Sequence, residues 1–114
     1  MLLRDDDKKE IISLAKKILK QPCKLWAYGS RVNGEAHDTS DLDMVLISKD
    51  GSKIDIGNFI AFKEALQNSN IPILTQVLDW HRIPDSFHKN ILDNYEEMTI
   101  ICYRFDEIKD KKIK

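Results

Sequence analysis

Residues 5 to 20, DDDKKEIISLAKKILK, place Ile11, Leu14, Ala15, Ile18 and Leu19 at helical spacing. That period predicts a helix with one apolar face. Acids at its start and lysines at its end complement the helix dipole, and Pro22 ends it. Residues 24 to 28 (KLWAY) read as a short strand closed by Gly29, followed by loop through Ser40 with a turn at Gly34. A brief helical turn starting at Ser30 fits within that segment. Residues 41 to 47 (DLDMVLI) form a second strand, apolar on both faces after Asp43 and therefore central in its sheet.

After the turn SKDGSK, residues 55 to 68 predict a helix ended by Asn70. Its mainly apolar face carries Ile56, Phe59, Ile60, Phe62, Lys63 and Leu66. A third strand spans residues 72 to 80 (PILTQVLDW), with Pro72 tolerated at its first position. Pro84 opens a last helix to about Asn94, with Phe87, Ile91 and Leu92 inward, and MTIICYRF is either a final strand or an extended tail. The order α-β-β-α-β-α with an optional β describes an α+β or mixed α/β sheet with helices mainly on one side.

A chain of 114 residues is bounded to one domain, 1–114. Hydrophobic residues at 42% and charged residues at 32% are ordinary for a soluble globular protein. A net charge of −1 supplies no basic field, so direct nucleic-acid binding is not expected. The basic end KDKKIK reads as a solvated tail. No apolar run approaches the ~20 residues that span a bilayer, so no membrane partner is expected. Cys23 and Cys102, without a signal peptide, read as reduced thiols of a cytoplasmic protein.

The chemistry concentrates in YGSRVNGEAHDTSDLDMVLI, residues 28 to 47. Asp41 and Asp43, two apart on a strand, point the same way, while Leu42 and Met44 point into packing. Side-by-side carboxylates repel unless a cation sits between them or one holds a proton. Mg²⁺ favours one or two carboxylates, with waters and substrate phosphates completing its octahedron. Gly29 lets backbone approach a phosphate, and Ser30 offers a hydroxyl and an amide at a helix start. Either motif alone is common polar surface. A strand, Gly-Ser, ten residues and then Asp-x-Asp opening a second strand is much rarer.

The stretch GSRVNGEAHDTSDLDMVL resembles the GS-x10-D-x-D signature of the DNA polymerase β-like nucleotidyltransferase superfamily. The short stand-alone members, the minimal nucleotidyltransferase (MNT) proteins, are nearest in size and layout. Their wording is close to G-S-R-A-R-G-x-A and then S-D-[IL]-D-L. This chain keeps Gly29, Ser30, Arg31, Gly34, Ala36, Ser40, Asp41, Leu42 and Asp43, and departs at Val32 and Asn33. The resemblance implies the polymerase β-like fold and transfer of a nucleoside monophosphate, AMP from ATP, to an acceptor hydroxyl. It further implies two Mg²⁺ ions held by Asp41 and Asp43, with Gly29, Ser30 and Arg31 at the phosphates. Arg31 steadying a phosphate by a charge-assisted contact and Arg31 facing solvent are both open.

Family members carry a further acid on a later strand, often in the wording V-D-L-V-D. Here residues 75 to 80 read TQVLDW, so the first acid of that pattern falls on Gln76 and the second on Asp79. Gln is neutral, a poorer partner for Mg²⁺, and no general base. Asp79, three positions on, faces away from Gln76 in a regular strand and reaches the site only through a bulge or bend. It is kept as the third catalytic candidate, against the plainer reading of a surface acid at a strand end.

The short members also resemble one half of a two-protein toxin–antitoxin system whose other half is an all-helical HEPN-type protein, modified or neutralised by adenylylation. The expected partners are therefore ATP or another nucleoside triphosphate and a helical HEPN-type protein, with homo- or hetero-oligomers both open. Gln76 favours a competing class, a catalytically weak module that holds nucleotide or masks its partner. The nucleotide-binding half of a small-molecule transferase is a third. Trp26 and Trp80, both expected on strands, read as core or partner-facing. His37 lies in the loop, where a metal role and plain exposure are both open; His81 and His88 have no second ligand at a metal spacing, and Cys23 has no paired histidine that marks a nucleophile.

Overall fold

The computed structural model of the protein describes residues 2–34 and 40–101. Helix α1 (Asp5–Ile18) leads to strand β1 (Cys23–Tyr28) and a one-turn helix α2 (Ser30–Asn33). Strand β2 (Leu42–Ser48), helix α3 (Ile56–Gln67) and strand β3 (Thr75–Asp79) follow, then a 3-10 turn (Trp80–Arg82), helix α4 (Asp85–Asp93) and strand β4 (Tyr95–Ile101). The four strands form one mixed sheet in the order β3-β2-β1-β4. β1 is antiparallel to β2 and β4, whereas β2 and β3 run parallel. A parallel pair needs a crossover longer than a hairpin, and α3 supplies it.

Helices α1 and α3 cover one face. Ile11, Ala15 and Leu19 from the first helix and Phe62 and Leu66 from the third pack on Cys23, Leu25, Ala27, Leu42, Met44, Leu46 and Val77. The alternate strand positions turn to the other face, where Tyr28, Val45 and Ile91 pack with Trp26, Leu78, Trp80, Ile83 and Phe87. β2 is the central strand that its doubly apolar pattern implied. It is paired on both edges, with Leu42, Met44, Val45 and Leu46 fully buried. No helix among the described residues is long and apolar enough to cross a membrane.

Besides Leu92 of α4, expected inward and found about half exposed, four details depart from the sequence reading. α1 stops at Ile18, and Leu19 caps it by donating its backbone N–H to Ala15 O at 2.9 Å. On α3, Ile56 and Ile60 are about half exposed, because Phe59, Phe62 and Leu66 already form the stripe that meets the sheet. MTIICYRF is strand from the outset: β4 begins at Tyr95, and its pairing with β1 slips by one residue between Leu25 and Trp26. Residues 102–105 of that stretch, including Cys102, lie outside the described residues.

The fourth departure concerns residues 72 to 80. β3 begins only at Thr75 and ends at Asp79, so Trp80 lies in the 3-10 turn and not on a strand. Asp79 causes that ending. Its side chain caps the turn by accepting from His81 N at 3.1 Å. The other oxygen accepts from Ile54 N at 2.7 Å and Arg82 Nε at 3.0 Å, while Arg82 Nη2 donates to Ile54 O at 2.9 Å. Asp79 is thus neither a surface acid nor part of the Asp41 face. It is a buried tie between the end of β3 and the entry to α3.

Truncating Asp79 leaves the Ile54 amide without an acceptor and the Arg82 guanidinium without its carboxylate. Losing a buried partner of this kind costs about 2–4 kcal/mol. Urea denaturation of Asp79→Ala at neutral pH should show a loss of that size. A change within about 0.5 kcal/mol would show that the tie contributes little.

Candidate active site

The site forms where β1 ends and β2 begins. Antiparallel register sets Tyr28 opposite Asp43, which brings the Gly29–Ser30 turn against the Asp43 carboxylate. Gly29 has φ +80°, a left-handed conformation that side chains rarely adopt. A Cβ there would also lie 2.9 Å from Asp43 Oδ2. The glycine is therefore required twice, for the bend and for room beside the acid. The sequence reading assigned its freedom to a phosphate; the close approach the structure records is to a carboxylate. Ser30 opens α2, the helical turn expected from the sequence.

Asp41 sits one residue ahead of β2, and Leu42 N donates to Leu74 O at 2.9 Å, tying this entrance to the segment before β3. Parallel register places Gln76 beside Asp43, and Gln76 Nε2 donates to Asp41 Oδ2 at 3.3 Å. The position nearest both acids on β3 is thus an amide. Asp79 pairs with Leu46 on the α1–α3 side, as the three-residue offset from Gln76 requires. No bulge brings it round. Among the described residues, no group of three or more His, Cys, Asp or Glu side chains is placed to hold a metal.

Electrostatics marks Asp43 as the stressed member of the pair. Burial, and secondarily the negative charge of Asp41, push its carboxyl above the ordinary value of 3.8. Tyr28, buried beside it, is pushed up to about 12 by burial and by the Asp43 charge, which keeps the phenol protonated. Its ring is held edge-on by Phe87 of α4, with centroids 6.1 Å apart. Two ionised acids at a half-buried edge call for a cation. With only two protein carboxylates at hand, a divalent ion takes its remaining ligands from water and substrate phosphates, which is how Mg²⁺ is usually held. The residues present fit such an ion.

Of the two placements open from the sequence, Arg31 does not take the solvent-facing one. It is 4% exposed, and Nε and Nη2 both donate to Ser40 O (2.9 and 2.7 Å) while Nη1 donates to Leu2 O at 2.7 Å. These bonds tie its guanidinium to backbone on both sides of the site. Trp26 stacks on Tyr95 at 4.1 Å and donates from Nε1 to Glu97, and Trp80 stacks on His88 at 3.7 Å. Both tryptophans are half-buried on the α4 side. His88 also meets Trp80 O through Nε2 at 2.7 Å. Cys23 is buried in the main core, and His37 lies outside the described residues. Tyr28 was missed by the sequence reading. The available signal was its place, an aromatic directly before the Gly-Ser turn.

This arrangement has named counterparts. A family model described as "Polymerase beta, Nucleotidyltransferase" matches residues 9–102. The chain is 36% identical over 93 residues to a Haemophilus influenzae protein called "Probable protein adenylyltransferase MntA", covering 79% of this chain and 80% of that one. A solved toxin–antitoxin with AMP-PNP superposes with a TM-score of 0.67 at 16% identity, over 89% of this chain and 78% of that one. The tri-AMPylated Shewanella oneidensis HEPN toxin in complex with MNT antitoxin gives 0.64 at 12% identity, over 93% and 79%. At such identities the two structures speak for the fold. The sequence matches reach further, since the family model takes in the Gly-Ser turn, both acids and all four strands: the chain belongs to the polymerase β-type nucleotidyltransferases.

Proposed function

We propose that the protein transfers AMP from ATP to a hydroxyl of a separate all-helical HEPN-type protein, and so acts as the antitoxin of a toxin–antitoxin pair. The observation that carries this reading is Asp43 set against the Gly29–Ser30 turn, with Asp41 two residues before it at the entrance of β2. The name of the Haemophilus relative and the partners of the matched structures support the choice of AMP and of a helical acceptor. ATP as donor fits a cytoplasmic setting.

In this reading Asp41 and Asp43 hold Mg²⁺, two ions when nucleotide is bound, and Gly29 and Ser30 receive the distal phosphates. The metal supplies charge stabilisation to the α-phosphate and to the leaving pyrophosphate. The acceptor oxygen forms the new bond to the α-phosphorus as its proton passes to solvent, and the bond from that phosphorus to the bridging oxygen of pyrophosphate breaks. The chain contributes position and a preset field, the terms that dominate phosphoryl chemistry. Gln76 cannot take the proton of the attacking hydroxyl. That amide, hydrogen-bonded to Asp41, favours a second reading in which the chain holds nucleotide or masks its partner with weak turnover.

Metal and nucleotide binding should register as stability. At Mg·ATP about 100-fold above its dissociation constant, the wild type should gain about 2.7 kcal/mol, and Asp41→Ala with Asp43→Ala should gain nothing. Without ligand, Asp43→Asn should melt higher than the wild type at pH 7. The raised carboxyl favours the folded state while protonated, and that contribution is lost as pH rises through its folded value. The advantage of Asp43→Asn should therefore vanish below the ordinary carboxyl value of 3.8. Melting curves from pH 3 to 8, with and without Mg·ATP, measure both effects; equal gains in wild type and double variant would remove the proposed metal site.

Labelled ATP with the purified helical partner tests transfer itself. Label should reach the partner, fall about 10²–10³-fold with Asp43→Asn, and persist with Asp79→Asn once corrected for folded protein. Nucleotide binding without label in the wild type would select the masking reading.

A further inference from the structure

We propose that Arg31 is a positioning residue that sets the separation between the two halves of the site, with the backbone of Leu2 as its second anchor. The inference rests on Asp41 and Asp43 being the metal-holding pair. Gly29–Ser30 ends one half and Ser40–Asp41 begins the other, and the two are joined in sequence only through the residues between them. Arg31 directly follows Ser30, and its guanidinium grips the carbonyl directly before Asp41. Nε and Nη2 converge on Ser40 O at 2.9 and 2.7 Å.

A peptide unit is planar, so Ser40 O, Asp41 N and Asp41 Cα move together. Clamping that oxygen by two charge-assisted donors therefore fixes the direction in which the Asp41 side chain leaves the backbone. The contact Asp41 makes through its own carboxylate, to the Gln76 amide at 3.3 Å, is long and holds it less firmly. The remaining arm of the fork ties the clamp to the chain start. Nη1 donates to Leu2 O at 2.7 Å, and Leu2 N returns a bond to Arg31 O at 2.8 Å. Only a planar fork serves two carbonyls in this way. A lysine has one nitrogen on a flexible stem and cannot reproduce it.

Groups that orient a metal ligand without touching the metal typically change metal affinity 10–100-fold when altered. Mn²⁺ binding in the presence of a non-hydrolysable ATP analogue, followed by the electron paramagnetic resonance of free Mn²⁺, should therefore weaken about 10-fold or more in Arg31→Lys. Arg4→Gln is the control: Arg4 pairs with Asp7 at 3.0 Å, outside the clamp on Ser40 and Leu2, so its Mn²⁺ binding should match the wild type. Removing Leu2 and Leu3 should weaken Mn²⁺ binding in the same direction, and supplies the test if Arg31→Lys does not fold. Affinities within about twofold of wild type in the folded variants would overturn the proposal. Should the wild type itself bind no Mn²⁺, the transferase reading fails, and the brace is then judged by the amide cross-peaks of Asp41 and Leu42. A shift confined to those residues in Arg31→Lys upholds it, and an unchanged spectrum there overturns it.

Discussion

Every feature of this molecule depends on β2 being held on all sides. Its neighbours pair with both edges, antiparallel β1 and parallel β3, while helices α1 and α3 close one face and α4 with the 3-10 turn shields the other. A strand so enclosed has no latitude to slip, because a one-residue shift would put its whole apolar set on the wrong side. Charge is tolerated only where β2 emerges, and that is where Asp41 and Asp43 stand. Fixing the strand also fixes its partners, Tyr28 across from Asp43 on one side and Gln76 on the other.

Around this frame the fold uses buried charged side chains to fasten backbone. Asp79 binds the entry of α3 to the end of β3, and Arg31 binds the chain start and the approach to β2. Asp7, nearly buried on α1, is gripped by both Arg4 Nε and Arg4 Nη2. Burying charge is costly unless hydrogen bonds replace the lost water. In each case they do, and most partners are backbone groups of irregular segments that lack a ladder of their own. The acids at the site have the opposite character. Asp43 is squeezed by burial and by Asp41, with a glycine as its near neighbour, and Asp41 accepts from the Gln76 amide. Such local discomfort suits a place that gains a cation with its substrate.

What the sequence by itself determined follows from short-range geometry. The i, i+2 spacing put Asp41 and Asp43 on one face, the apolar run made β2 central, helical spacing located α1 and α3, and the Gly-Ser pair closed β1 at the right residue. Distance along the chain could not say which residue of β3 would meet the acids. Alternation set Gln76 and Asp79 on opposite faces, but only the parallel register with β2 put Gln76 beside Asp43 and left Asp79 to Ile54 and Arg82. The same holds for Arg31, which in the motif could equally serve a phosphate or water. Its partners, Leu2 and Ser40, come from segments 29 and 9 residues away. Hydrogen bonds of that reach exist only once the sheet has folded, because a side chain's partner is chosen by what packing brings within 3 Å of it and not by its neighbours in sequence.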